Sequence, residues 1–125
     1  MKLIDSNILI YSGEEQFAPI LLPFVTDPAN FVSTVSHVEM LGFHRITPKQ
    51  IIYFENIFRI LQTLSIDDAV IQAAIKVRQT KKISFGDSLV AATALVHGLE
   101  IISRNTVDFS GIPGLTVINP IPEKD

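Results

Sequence analysis

Apolar residues along this chain follow two kinds of spacing, and the two kinds alternate. Short apolar runs predict strands at residues 3–5, 31–35, 64–66, 100–103 and 115–118. Apolar residues that recur at every third or fourth position predict helices at 8–11, 17–25, 36–43, 47–64, 67–82 and 88–97. Strands that alternate with helices are typical of an α/β fold, with a mainly parallel sheet and helices on both of its faces.

Three four-residue segments fit the capping-box pattern of a helix start, at 36–39, 47–50 and 84–87. In the second, Pro48 occupies the first helical position, which strengthens the prediction. In the other two, the fourth residue is an acid, Glu39 or Asp87. A capping role is therefore open to both acids.

The predicted helix at 47–64 is apolar around about half of its circumference, more than the ~100° stripe of an ordinary surface helix. The residues of this wide face are Ile51, Phe54, Ile57, Phe58, Ile60, Leu61 and Leu64. Such a face predicts burial on two sides or a protein interface.

Composition narrows the class of protein. The 125 residues predict one domain spanning 1–125, and the absence of cysteine excludes disulfides, thiolate zinc sites and a cysteine nucleophile. The N-terminus does not resemble a signal peptide, and no apolar run approaches a membrane span, so we expect a soluble cytoplasmic protein. The net charge of −3 gives no general reason to expect nucleic acid binding, but residues 69–86 contain four basic residues and no acid.

Four acids stand at unusual places, just past a predicted strand or at the start of a predicted helix: Asp5, Glu39, Asp87 and Asp108. In a parallel sheet such positions gather at one rim, where ligands bind. Carboxylates crowded there repel each other, and a hard divalent ion such as Mg²⁺ or Mn²⁺ relieves that repulsion. A metal bound in this way activates water and stabilises charge on a phosphoryl group.

Each of these acids also has a structural role open to it when taken alone. Asp5, Glu39 and Asp87 are placed to cap helices, where acids are favoured by the helix dipole. Asp108 is placed to act as a turn residue before Gly111. Only their joint placement favours a metal site, and a capping acid still has a second oxygen free.

Four segments, in order, resemble the PIN domain family, and within it the VapC-like toxins of bacterial and archaeal toxin–antitoxin pairs. They are LIDSNILIY at 3–11, STVSHVEML at 33–41, ISFGDSLVAATALVHGLEIIS at 83–103 and SRNTVDF at 103–109. The resemblance implies a three-layer α/β/α fold with a mainly parallel sheet of about four to five strands. It also implies a Mg²⁺- or Mn²⁺-dependent endoribonuclease that cleaves RNA with a metal-activated water.

Carried over by position, the resemblance implies that Asp5, Glu39 and Asp87 are the metal-binding, catalytic carboxylates. Ser6 and Ser103 would support the site. The family often has an acid where this chain has Asn105, which offers a carbonyl ligand without a charge. Asn105 is the expected fourth residue, and Asp108 is the alternative metal ligand.

The resemblance further implies a homodimer and a small cognate antitoxin, whose amphipathic segment would occupy an apolar groove near the acids. The basic residues Lys81, Lys82 and Arg104 would guide the RNA backbone. The high mean hydropathy of +0.36 agrees with a surface reserved for a partner.

Two rival functions remain open. One is a PIN-like module with an impaired site that acts only by binding protein or RNA, and Asn105 is its best support. The other is phosphoryl transfer on an aspartate after the first strand, as in haloacid-dehalogenase-like or receiver-like proteins. The dehalogenase type requires a second aspartate two residues after the first, where this chain has Asn7.

Overall fold

A parallel sheet forms the middle layer of the fold in the computed structural model, which describes residues 1–122. The predicted domain also includes residues 123–125, which lie outside the described residues. The strands in the described range are β1 (Lys2–Ile4), β2 (Phe31–Ser33), β3 (Gln62–Leu64), β4 (Glu100–Ile102) and β5 (Val117–Ile118). Their order is β3-β2-β1-β4-β5, and every neighbouring pair is parallel.

Helices cover both faces of this sheet. They are α1 (Ser6–Ser12), α2 (Ala18–Val25), α3 (Thr34–Leu41), α4 (Pro48–Ile60), α5 (Asp68–Thr80), α6 (Phe85–His97) and α7 (Thr106–Phe109). Successive strand residues point to opposite faces. Accordingly, Leu3 and Ile101 pack with residues of α5 and α6, while Ile4 and Ile102 pack with residues of α1 to α4. The predicted three-layer α/β/α fold is thus confirmed.

The strand order places a switch point between β1 and β4. From β1 the chain moves outward to β2 and β3, and from β4 it moves in the opposite direction to β5. Ligands of open α/β sheets bind in the crevice at the carboxyl ends of strands at such a point. Asp5 directly follows β1 and Ser103 directly follows β4, so both border that crevice.

The predicted capping box at 36–39 is wrong. Strand β2 ends at Ser33, whose hydroxyl accepts a hydrogen bond from the Val35 N–H at 3.1 Å and caps α3. Ser36 therefore lies inside the helix and is buried. The β-branched pair Thr34-Val35 predicted a strand, but strand propensity is weak compared with a cap and tertiary packing. Glu39 consequently does not cap this helix.

The boundary between α4 and β3 also differs from the prediction. The helix ends at Ile60 rather than near residue 64, because residues 62–64 pair with β2, with Phe31 opposite Gln62. Leu61 reaches the core from extended backbone, so the apolar face of the helix is narrower than predicted. The start of α4 at a Thr47 capping box is confirmed. Gly98 ends α6 as predicted, at φ 65°, a conformation that favours glycine.

Candidate metal centre

Asp5 connects β1 to α1 and is only 5% exposed. Its Oδ1 accepts a hydrogen bond from the Ser6 N–H at 2.9 Å and so caps the helix. Its Oδ2 accepts a hydrogen bond from the Ser103 hydroxyl at 2.7 Å. Asp5 therefore caps α1 with one carboxylate oxygen, while Ser103 fixes the other oxygen.

Burial raises the pKa of Asp5 to about 6, from an ordinary value of 3.8. The hydrogen bonds from Ser103 and the Ser6 N–H lower this pKa, while the nearby charges of Asp87 and Glu39 raise it. The carboxylate is thus costly to ionise as it stands, and an adjacent cation would reverse that cost.

Glu39 reaches the same crevice from α3. The Ser6 hydroxyl donates a hydrogen bond to Glu39 Oε1 at 2.9 Å and lies 2.8 Å from the Ser36 hydroxyl. On its other side, Glu39 faces the first turn of α6, where a Cβ on Gly86 would stand 3.3 Å from Oε2. The lack of a side chain at Gly86 lets this helix start lie close to the carboxylate.

Asp87 lies in the first turn of α6. The Ser84 hydroxyl caps this helix by accepting a hydrogen bond from the Asp87 N–H at 3.1 Å. Within residues 1–122 the reciprocal bond of a capping box, from the Ser84 N–H to the Asp87 carboxylate, is not formed. Burial raises the pKa of Asp87, Ser84 lowers it, and the charge of Asp108 raises it.

The segment after β4 forms the fourth side of the site. The Ser103 hydroxyl accepts hydrogen bonds from the Asn105 N–H at 2.9 Å and the Asn7 amide at 3.3 Å. The Asn105 side-chain amide in turn donates to Asp108 Oδ2 at 2.6 Å. Asn105 and Asp108, predicted as alternatives, are thus joined by a direct contact.

Three residues of this network were not predicted from the sequence. Asn7 ties Ser103 to the Arg104 N–H, which donates to Asn7 Oδ1 at 3.3 Å. Ser36 lies against Ser6, and Gly86 lies against Glu39. The short motifs DSN at 5–7 and GD at 86–87 include Asn7 and Gly86, but the residues that these two contact are distant in sequence and could not be identified from it.

The three predicted RNA-binding residues lie in different settings. The Lys81 ammonium is hydrogen-bonded to backbone carbonyls of residues 107, 108 and 110. The Arg104 guanidinium packs over the rings of Tyr11 and Phe17, 4.7 and 5.1 Å from their centroids. Lys82 is exposed.

The donor chemistry of this rim fits a hard divalent cation. The candidate ligands are the carboxylate oxygens of the four acids and the amide oxygen of Asn105, and Mg²⁺ and Mn²⁺ prefer oxygen ligands of this kind. Like charges act between Asp5 and both Glu39 and Asp87, and between Asp87 and Asp108. In the described part of the chain, however, no three such side chains are close enough to form a compact metal cluster. The acids therefore act on one another through their charges without forming a compact cluster.

Fold and rim together define a parallel α/β protein with an acidic site at the switch point of its sheet. The family model described as PIN domain matches residues 2–115, and the chain belongs to this family. No curated protein matches it.

Several solved structures share this fold. A chain of a toxin–antitoxin complex from Klebsiella pneumoniae is 31% identical, with a TM-score of 0.78 over 97% of this chain and 98% of that one. A chain of DNA-bound VapBC from Salmonella typhimurium is 19% identical, with a TM-score of 0.80 over 94% and 98%. A chain of FitAcB from Neisseria gonorrhoeae is 22% identical, with a TM-score of 0.76 over 96% and 98%.

Replacement of Ser103 by alanine is expected to raise the pKa of Asp5 further. The variant removes a hydrogen bond that favours the ionised carboxylate and leaves its burial in place. The carboxyl ¹³C resonance of Asp5, followed against pH by NMR in metal-free protein, measures the change. Ser110→Ala is the matched control, since the Ser110 hydroxyl donates to the Val107 carbonyl instead. An unchanged Asp5 titration in Ser103→Ala would contradict the assigned hydrogen bond.

Proposed function

We propose that the protein is a Mg²⁺- or Mn²⁺-dependent endoribonuclease and the toxin of a type II toxin–antitoxin pair. The observation that carries this proposal is the buried Asp5 carboxylate, with its pKa of about 6, beside the charges of Glu39 and Asp87. Membership of the PIN domain family supports it, as does the 31% identity to a chain of a toxin–antitoxin complex. Because the proposed substrate is cellular RNA, the proposed site of action is the cytoplasm.

In this proposal Asp5, Glu39 and Asp87 hold the metal, and Asn105 and Asp108 complete its surroundings. A bound divalent metal supplies an activated water and stabilises charge on the phosphoryl group. Ser103 and the Ser6 N–H orient the two oxygens of Asp5, while the Ser6 hydroxyl orients Glu39. A single serine, Ser6, thus contacts two of the proposed ligands and fixes their relative placement.

RNA would approach the rim through its phosphates. Arg104 is exposed, follows Ser103 directly, and rests on two aromatic rings that restrict its guanidinium. A guanidinium held in this way still presents N–H groups to a phosphate. We therefore assign Arg104 and the exposed Lys82 to the RNA backbone.

An apolar groove supports the proposed antitoxin. A cavity of about 250 Å³ beside Glu39 is lined by Ile10, Glu39, Met40, Phe43, Ile46, Gln50 and Phe54. Ile10 and Phe43 are about half exposed. This is the surface that an amphipathic antitoxin segment would cover. The exposed side chains of Val38 and Phe85, on the other side of Glu39, form a separate apolar patch and support the proposed homodimer.

A cleavage assay tests the nuclease. Purified protein is incubated with structured and unstructured RNAs in Mg²⁺, in Mn²⁺ and in EDTA, and the products are mapped by primer extension. We expect discrete internal cuts in either metal and none in EDTA. Binding of RNA with no cleavage in any metal would contradict the nuclease and favour the impaired binding module.

A further inference from the structure

Lys81 lies directly after α5 and reaches across to the end of α7. Its ammonium donates hydrogen bonds to the carbonyls of Ser110 at 2.7 Å, Asp108 at 2.9 Å and Val107 at 3.4 Å. An ammonium has three N–H donors, and here three carbonyl acceptors surround it. The sequence analysis predicted that Lys81 contacts RNA, but its ammonium is bonded to carbonyls of the protein itself.

These contacts matter because α7 is too short to be stable alone. It has four residues, whereas an isolated helix needs about 12–15 to be even marginally stable. The last carbonyls of a helix lack partners within the helix. The Val107 carbonyl also accepts from the Ser110 N–H and hydroxyl, so the main contribution of the Lys81 ammonium is to the carbonyls of Asp108 and Ser110 and to the helix dipole. The burial of Phe109 and the Lys81 ammonium together therefore hold this segment in place.

The held segment carries the fourth acid of the site. Asp108 is part of α7, its carbonyl accepts from Lys81, and its carboxylate accepts from the Asn105 amide. At its other end, the Asn105 N–H is bonded to Ser103, which contacts Asp5. The segment is therefore anchored once through Ser103 and once through Lys81.

We propose that Lys81 is a positioning residue that fixes Asp108 relative to the other acids, and that it does not bind RNA phosphate. This inference rests on the proposed metal-dependent function. Lys82 offers a built-in comparison, since it carries the same charge one residue away and is exposed. A role in the general electrostatic field would be shared by both lysines, whereas a role through contact belongs to Lys81 alone.

The first measurement is the affinity of metal-free protein for Mn²⁺, obtained by titration followed with electron paramagnetic resonance. We expect Lys81→Met to weaken Mn²⁺ binding about tenfold, the scale found when an outer partner of a metal ligand is removed. Lys81→Arg, which keeps a donor-rich cation, should retain most of the affinity. Lys82→Met should leave the Mn²⁺ affinity unchanged and raise the KM for RNA.

The second measurement is a double-mutant cycle with Asp108→Asn. If Lys81 acts through Asp108, Lys81→Met should have little further effect on Mn²⁺ affinity once Asp108 is neutralised. With metal saturating and the RNA concentration varied, Lys81→Met alone should lower kcat with little change in KM. Hydrogen exchange of the amides at 106–110 should quicken in Lys81→Met and not in Lys82→Met.

Several outcomes would overturn the inference. The first is that Lys81→Met binds Mn²⁺ as tightly as wild type. The second is that Lys81→Met loses the same Mn²⁺ affinity in the wild-type and Asp108→Asn backgrounds. The third is that Lys81→Met changes only the KM for RNA, as Lys82→Met does. If the wild-type protein binds Mn²⁺ and shows the expected cycle but cleaves no RNA, the proposed function fails and the role of Lys81 stands. If the wild type does not bind Mn²⁺, both fail.

Discussion

Replacement of Asp5 by asparagine is expected to abolish metal-dependent RNA cleavage. The substitution keeps the size of the side chain and an acceptor for the Ser6 N–H, but it removes the most buried of the proposed metal-binding charges. Loss of one electrostatic contributor in an active site costs about 10²–10³ in kcat, and we expect at least that loss here. Single-turnover cleavage of a defined RNA, over a range of Mg²⁺ concentrations, measures the effect.

Asp27→Asn is the matched control for this experiment. Asp27 is exposed, lies between α2 and β2, and accepts a hydrogen bond from the Ala29 N–H that asparagine can also accept. It undergoes the same change of charge outside the rim and should cleave like wild type. Cleavage by Asp5→Asn at the wild-type rate would contradict the assignment of the metal site, even if the protein proves to be a ribonuclease.

How much of the site could be predicted from sequence depended on the range of each interaction. The strand-to-helix junction at Asp5 and the Ser84 cap are local patterns, and the structure has both. The alternation of strands and helices predicts a shared rim for the four acids, and in the structure the charges of Glu39 and Asp87 act on Asp5. The N-cap of α3 was predicted at Ser36, three residues after the observed cap at Ser33, because Thr34 and Val35 favour strands and Ser36 fits the pattern of a cap.

Contacts between distant segments could not be predicted in this way. Ser103 and Asp5 are 98 positions apart, and Lys81 meets Ser110 across 29 positions. From composition alone, Lys81 was one of several basic residues near the end of a helix, and such residues usually face solvent. Only the tertiary structure, which brings the end of α7 to the end of α5, reveals that this ammonium has carbonyl partners.

The same Asp5→Asn variant is expected to be more stable than wild type when no metal is bound. The folded-state pKa of Asp5 is about 6 and its ordinary value is 3.8, so the folded protein holds this proton more tightly than the unfolded chain. The fold therefore loses stability as pH rises from 3.8 to about 6, by roughly 3 kcal/mol in total. Asparagine avoids this loss but disturbs the hydrogen bond from Ser103, at a cost of about 1 kcal/mol.

The net gain should grow as pH rises from 3.8 to about 6 and reach roughly 2 kcal/mol above pH 6, as a rise of several degrees in the melting temperature of metal-free protein. Below pH 3.8 Asp5 is protonated in both states, so only the cost of the disturbed Ser103 hydrogen bond remains and Asp5→Asn should be less stable than wild type. Added Mg²⁺ should then stabilise wild type more than Asp5→Asn, since ligand binding stabilises only the state that holds the ligand. Asp27→Asn should show neither trend. If Asp5→Asn is less stable than wild type at every pH, the prediction is wrong, because the ionised Asp5 carboxylate then stabilises the metal-free fold.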